Sequence, residues 1–175
     1  FMKIREYTRF ACDFETTVYD GQDTTLVWSA AFAELFKNDV HVLGSIDDFF
    51  KYFFENTAGN IILYFHNLKF DGSFILHYFL SNDEFKQALN GDEFLKDSHM
   101  KNNTYKYTIS NQGQWYSIIL KQGNRMIEIR DSLKLLPFSL RSIGESFETD
   151  HKKLEMEYKG FRYPNCPITD EERHY

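Results

Sequence analysis

The sequence predicts an α/β fold with a β-meander in its second half. Two observations support this class. In the first half of the chain, short apolar runs typical of strands alternate with patterns of helical period. In the second half, three strand patterns follow one another, separated by short turns that contain Gly. With 175 residues, 42% of them hydrophobic, the chain can bury the core of one domain.

Strand patterns open the chain. Residues 9–15 form an apolar run that predicts a first buried strand, and residues 25–34 predict a second. A turn through Asp20 and Gly21 lies between them, so we expect an antiparallel hairpin. A third, short strand is predicted over residues 40–43.

The first helix begins with a capping pattern. Ser45 is expected to cap it, with Asp48 at the capping-box position. The apolar residues that follow recur at helical spacing, which is more typical of core packing than of a binding surface. They are Ile46, Phe49, Phe50, Phe53 and Phe54.

The next strand and helix frame the most informative loop. An apolar run over residues 60–65 predicts a central strand. Residues 66–71 should then form a loop at the end of that strand, where sites in open α/β sheets commonly lie. Gly72 is expected to permit a tight turn, and a helix is predicted over residues 74–80.

The second half begins with a polar excursion. Residues 82–103 show no clear periodicity and are expected to be exposed. Antiparallel strands are predicted over residues 105–110, 115–121 and 125–130, and a helix over residues 140–147.

The end of the sequence carries a second capping box. Thr169 and Glu172 predict a helix that begins at Asp170, and the chain stops within two turns of it. A helix this short is not stable alone, so we expect the chain to be the front part of a longer protein.

Charge and cysteine content narrow the class of function. The net charge of −6 argues against simple electrostatic binding of nucleic acid, although a nuclease whose bound cations supply positive charge escapes that objection. Cys12 and Cys166 form no disulfide or zinc pattern, which favours a reducing, cytoplasmic setting. There is no apolar run long enough to span a membrane, so no membrane partner is expected.

Acidic residues follow two predicted strands. Asp13 and Glu15 alternate along the first strand and therefore point the same way, as oxygen ligands for a hard divalent cation do. Such a pair is common by chance, but Asp71 follows the central strand, and the ends of these two strands can be neighbours in an α/β sheet. Together the three carboxylates suggest a two-metal nuclease.

Four ordered blocks carry a family resemblance, and residues 67–71 lie within one of them, residues 64–72. Residues 13–16 (Asp-Phe-Glu-Thr) resemble the Exo I motif, and residues 67–71 the Exo II motif, of the 3′-5′ proofreading exonuclease domain of family B DNA polymerases. Residues 64–72, 113–116 and 131–138 are particularly similar to the protein-primed subgroup of the phage phi-29 type. The blocks stand in family order and span nearly the whole chain.

The resemblance implies a ribonuclease-H-like fold, with a mixed sheet flanked by helices. Residues 2–175 would form one exonuclease domain, and Asp13, Glu15 and Asp71 would be the catalytic ligands of two Mg²⁺ or Mn²⁺ ions. A further set matches positions that hold the 3′ end of single-stranded DNA. They are Thr16, His66, Asn67, Phe70, Ser132, Leu133 and Tyr158.

The resemblance also covers the third exonuclease motif. Lys153 matches a catalytic lysine, and Tyr175 matches the Exo III tyrosine that helps to orient the attacking water. The Exo III Asp would follow Tyr175 by four residues and is absent, as is every polymerase motif. We therefore expect a truncated domain with weak or no activity alone. Its partners would be the polymerase domain of the parent chain and a terminal protein.

Other interpretations of these residues stay open. Asp13 and Glu15 could be an ordinary charge pair, and His66 could be a satisfied, partly buried side chain. Phe70 could close the core, and Lys153 could be solvated. Two other functions are compatible with the sequence: a binding module for a single-stranded end or a partner protein, and a stand-alone exoribonuclease. A stand-alone exoribonuclease would not have the polymerase-type Ser-Leu and Lys/Tyr blocks that this sequence contains, so we rank it last.

Overall fold

The computed structural model describes residues 6–37, 39–148 and 160–174. Within them, eight strands form one mixed sheet in the order β3-β2-β1-β4-β10-β9-β8-β5, and β6 pairs with β7. The strands are β1 (Tyr7–Thr16), β2 (Val27–Glu34), β3 (Val40–Leu43), β4 (Asn60–Phe65), β5 (Lys86–Gln87), β6 (Leu89–Asn90), β7 (Glu93–Phe94), β8 (Thr104–Ile109), β9 (Trp115–Gln122) and β10 (Arg125–Asp131). The helices are α1 (Ile46–Asn56), α2 (Leu68–Ser81), α3 (Leu140–Ser146) and α4 (Asp170–His174).

The pairing of the central strands brings three strand ends to one edge of the sheet. β1 and β2 form the predicted antiparallel hairpin, while β1 runs parallel to β4 and β4 runs parallel to β10. Near the carboxyl ends of these strands, Cys12 lies opposite Phe65, and Phe65 lies opposite Asp131. The prediction that strands one and four are neighbours is confirmed.

Helix α1 forms as its sequence pattern predicts. The Ser45 hydroxyl accepts a hydrogen bond from the Asp48 backbone N–H at 3.1 Å, and the aromatic stripe packs on the sheet. Phe49, Phe50 and Phe53 have no exposed surface. The stripe is therefore core.

Arg125 joins the meander to the carboxyl end of α1. Its guanidinium donates to the Phe53 carbonyl at 2.6 Å and to the Thr57 carbonyl at 2.7 Å. It also donates to the Gln122 side chain at 2.9 Å. The last carbonyl groups of a helix have no N–H partner within the helix, and Arg125 donates hydrogen bonds to carbonyl groups at this end of α1.

Helix α2 corrects the predicted loop over residues 66–71. The helix begins at Leu68, so Asp71 lies in its first turn and Gly72 lies inside it. The Leu68 side chain is fully buried. Its burial stabilises a helix that begins at this residue, directly after Asn67. Gly72 makes no tight turn: a Cβ there would lie 2.8 Å from the Trp115 ring, so the glycine lets the helix approach β9.

The polar excursion is more ordered than its sequence predicts. Residues 82–103 contain three short strands, and Ala88 and Met100 are buried against Met126 of β10. The apolar positions of this segment are too few and too irregularly spaced to show a period. The expectation of an exposed, irregular segment was therefore wrong in part.

The remaining elements follow their predictions. The three strands of the meander pair antiparallel, and α3 occupies the predicted helical segment. Thr169 and Glu172 exchange backbone and side-chain bonds at 2.9 and 3.2 Å, so the capping box forms. Among the described residues, no helix is long and apolar enough to cross a membrane.

Candidate active site

The acidic motif of β1 is oriented by the phenylalanine inside it. Phe14 points into the core, where its ring meets the edges of Phe49 at 5.1 Å and Phe65 at 4.9 Å between centroids. Because side chains alternate across a strand, Asp13 and Glu15 point to the opposite face. Asp13 is exposed and Glu15 is half-buried there.

Asp71 reaches this motif from the first turn of α2. Its side chain is buried, with 4% exposed, and its Oδ1 has no hydrogen-bond partner among the described residues. Burial raises the pKa of Asp71 to about 7, and the negative charges of Asp13 and Glu15 add to the increase. A backbone hydrogen bond from Phe14 acts in the opposite direction. The structure therefore brings the three predicted carboxylates together.

These carboxylates fit a hard divalent cation chemically. Carboxylate oxygens are the ligands that Mg²⁺ and Mn²⁺ prefer, and a cation would relieve both the repulsion between the acids and the orphaned Oδ1 of Asp71. In the described ranges, no group of three or more His, Cys, Asp or Glu side chains is arranged to hold one ion. Mg²⁺ commonly uses only one or two carboxylates and completes its shell with water and substrate oxygens.

We predict that Asp71 makes the metal-free protein less stable as the pH rises. The pKa of about 7 lies above the ordinary value of 3.8, so the native state keeps a proton that the unfolded state has released. The protonated carboxyl therefore stabilises the folded state fully at a pH below 3.8, the ordinary pKa of Asp. This stabilisation is lost as the pH rises through about 7. Asp71→Asn should remove this loss and make the protein more stable at about pH 8 by on the order of 2 kcal/mol.

Urea unfolding of both proteins in EDTA, at about pH 5 and about pH 8, measures this effect. The difference in unfolding free energy between the two proteins should grow with pH. A difference that is constant over this range would contradict the raised pKa of Asp71.

A second group of polar side chains ties the loop after β4 to the loop after β10. The Phe138 carbonyl can only accept, so His66 Nε2 carries a hydrogen and donates to it at 2.8 Å. His66 Nδ1 lies 3.1 Å from the Ser132 hydroxyl, and the Phe65 carbonyl lies 3.2 Å from the same hydroxyl, whose single hydrogen can be donated to one of these two acceptors at a time. His66 is thus held half-buried with both ring nitrogens engaged.

The other predicted DNA-holding residues lie around this group. Asn67 is exposed, in a left-handed conformation with φ of 74°, and its side chain makes no cap bond to α2. Phe70 is 49% exposed and meets the edge of Phe74, so it does not close the core. Thr16 and Leu133 are half-buried. Outside the described residues lie Lys153, Tyr158 and Tyr175.

Asp131 belongs to the same group. It begins the block of residues 131–138 that resembles the family, but it is not among the predicted site residues. It is buried, with 6% exposed, and it accepts backbone hydrogen bonds from Asn67 and Leu133. An Asp directly after an apolar strand, followed by Ser-Leu, is a capping signal, and that signal could have found it.

A groove of about 550 Å³ opens beside the acids. Its polar border includes Asp13, His66 and Ser132, and its floor includes the small residues Ala11 and Ala31. Asp13 is the member of the acidic group that borders this groove, and His66 and Ser132 border it from the second group. A cation held by the carboxylates would contact a ligand lying in it.

Solved structures identify the fold class. The chain matches the phi29 DNA polymerase complexed with single-stranded DNA at a TM-score of 0.80 and 31% identity, over 97% of this chain and 29% of that one. It matches the same polymerase complexed with primer-template DNA at a TM-score of 0.78. The fold is thus the ribonuclease-H-like exonuclease fold expected from the resemblance, with a mixed sheet flanked by helices.

Sequence relatives identify the family. Over 95% of this chain, the sequence is 37% identical to the DNA polymerase of Bacillus phage B103. Over 99% of this chain, it is 34% identical to the DNA polymerase of Bacillus phage phi29. Residues 53–174 match the family model for DNA polymerase type B, organellar and viral. The chain belongs to this family. It spans 27% and 29% of the length of those two relatives.

Proposed function

We propose that this chain is the 3′-5′ exonuclease domain of a protein-primed family B DNA polymerase, which removes nucleotides from single-stranded DNA ends. One observation carries the proposal: buried Asp71 lies close enough to Asp13 and Glu15 for their charges to raise its pKa, and Asp13 borders the groove. The similarity to phage polymerases, one of them solved with single-stranded DNA, supports the same activity.

In the proposed mechanism, the three acids would hold two divalent cations. Asp13 and Asp71 would share one Mg²⁺ or Mn²⁺, and Glu15 would hold the ion next to the attacking water. When bound, such ions lower the pKa of water and neutralise charge on the phosphate. The fourth carboxylate of the family pattern would follow Tyr175 by four residues, outside the 175 residues.

The neighbouring side chains would hold the DNA end. His66 and Ser132 are fixed against each other at the groove, and the exposed ring of Phe70 offers a surface on which a base can stack. The proposed site for the DNA end would be completed by Asn67, Thr16 and Leu133. On the resemblance, we assign to Lys153 a catalytic role, to Tyr158 a contact with DNA, and to Tyr175 the orientation of the water.

The wider setting follows from the relatives. They are phage polymerases several times longer than this chain, so we infer that the domain works beside a polymerase domain in one parent chain. A terminal protein, which primes replication in this subgroup, would be a further partner. The domain would act in the cytoplasm of the host cell.

The proposal is tested with 5′-labelled single-stranded DNA and Mn²⁺. The chain of 175 residues and a version extended through the missing Asp are compared, with Asp13→Ala in each as control. We expect products that shorten from the 3′ end, faint with the chain alone and strong with the extended version. Absence of cleavage by the extended version would refute the exonuclease.

A second candidate is a binding module that holds a single-stranded end without cutting it. The described residues contain no group of three acidic, His or Cys side chains arranged around one ion, and this favours it. The two candidates differ in the extended version: a binding module retains its affinity for single-stranded DNA but releases no nucleotides in Mn²⁺.

A further inference from the structure

One carboxylate oxygen joins the two loops that border the groove. Oδ1 of Asp131 accepts the backbone N–H of Asn67 at 3.1 Å and the backbone N–H of Leu133 at 3.0 Å. Asn67 follows β4 and precedes α2, whereas Leu133 follows β10. Asp131 therefore links the segment that carries His66 to the segment that carries Ser132.

We propose that Asp131 is a positioning residue that sets the distance between these two loops, and with it the site for the single-stranded 3′ end. The inference rests on the proposed function. Asp131 itself touches no substrate: its side chain is buried, and its bonds go to backbone groups of the protein.

The conformation of Asn67 explains why the loop needs this anchor. Its φ of 74° lies in the left-handed region, which is less favourable for a residue with a Cβ than for glycine. Its side chain makes no cap bond to α2. The Asn67 carbonyl accepts the Phe70 N–H at 3.0 Å, and the bond from the Asn67 N–H to Asp131 holds the other side of this residue. Losing the bond to Asp131 would leave a donor without a partner.

Because Asp131 is negatively charged, the direction in which DNA affinity changes on its substitution tests the proposal. DNA is a polyanion, so a carboxylate near the DNA site weakens binding unless it serves another purpose. If Asp131 acted only through its charge, removing it would leave DNA binding unchanged or tighter. If it positions the loops, Asp131→Ala must weaken binding, while Asp131→Asn, which keeps an oxygen in the same place, must not.

The experiment uses fluorescence anisotropy of a 5′-labelled single-stranded oligonucleotide in Ca²⁺, a cation with the same preference for oxygen ligands. We expect Asp131→Ala to weaken binding about tenfold, and Asp131→Asn to bind as tightly as the unmodified chain or more tightly. Arg125→Ala is the matched control. It breaks partly buried hydrogen bonds at the opposite end of the same strand, about 20 Å away, and should leave DNA affinity unchanged.

Hydrogen exchange supplies a measurement that does not depend on DNA. The amides of Asn67 and Leu133 should lose about tenfold in protection in Asp131→Ala and keep it in Asp131→Asn. Unchanged protection, unchanged DNA affinity in Asp131→Ala, or an equal loss of affinity in Arg125→Ala would each overturn the positioning role. If the unmodified chain fails to bind the oligonucleotide, the proposed function itself falls, and the role in DNA binding falls with it.

Discussion

We expect Asp71→Asn to abolish Mn²⁺ binding by this chain and to lower the exonuclease rate of the extended version at least about a hundredfold. The carboxylate is buried beside two other acids, with one oxygen that has no hydrogen-bond partner among the described residues. Such an oxygen is satisfied when a cation binds, and an amide oxygen is a much weaker ligand for Mg²⁺ or Mn²⁺. Titration of Mn²⁺ by electron paramagnetic resonance measures binding, and cleavage of labelled single-stranded DNA measures the rate.

Two controls separate the loss of a ligand from a loss of structure. Asp92→Asn removes the same charge from an exposed turn between β6 and β7 and should change neither measurement. In EDTA near pH 8, Asp71→Asn should be more stable than the unmodified chain, so unfolding cannot explain its loss of Mn²⁺. Undiminished Mn²⁺ binding by Asp71→Asn would show that Asp71 is not a metal ligand.

Local patterns in the sequence predict most of the architecture, because apolar residues recur along the strands and helices at the spacing typical of each. The capped helix α1, the central strand β4 and the meander all form where the patterns indicate. The pairing of β1 with β4 was expected only as one arrangement open to an α/β sheet, and the structure confirms it. That pairing brings Asp71 to the motif around Asp13, which no local pattern specifies.

The misses have a common physical cause, since each depends on contacts between residues distant in sequence. Helix α2 starts early because Leu68 is buried against the core, and Gly72 is required by the approach of Trp115. The side chain of Asp131 accepts a hydrogen bond from the backbone of Asn67, 64 residues away in the chain, and the local capping pattern at Asp131 does not indicate that partner. Spacing within a motif carries no information about such contacts.

The core beneath the acidic motif leads to a second large effect. Phe49 is fully buried, and its ring meets the edges of Phe14 and Phe53 at 5.1 and 4.9 Å. Phe49→Ala removes these contacts and leaves a cavity in the core. We expect the free energy of unfolding to fall by about 3 to 5 kcal/mol, measured by urea denaturation followed by circular dichroism.

The chain offers a matched control for this substitution in Phe36, whose side chain is fully exposed at 102%. Phe36→Ala removes the same atoms without opening a cavity, so the free energy of unfolding should change by less than about 0.5 kcal/mol. Because Phe14 lies between Asp13 and Glu15 and packs on Phe49, the Phe49→Ala protein should also bind Mn²⁺ more weakly. Equal losses of stability in the two variants would contradict the cavity, and undiminished Mn²⁺ binding by Phe49→Ala would mean that the aromatic core does not support the acidic motif.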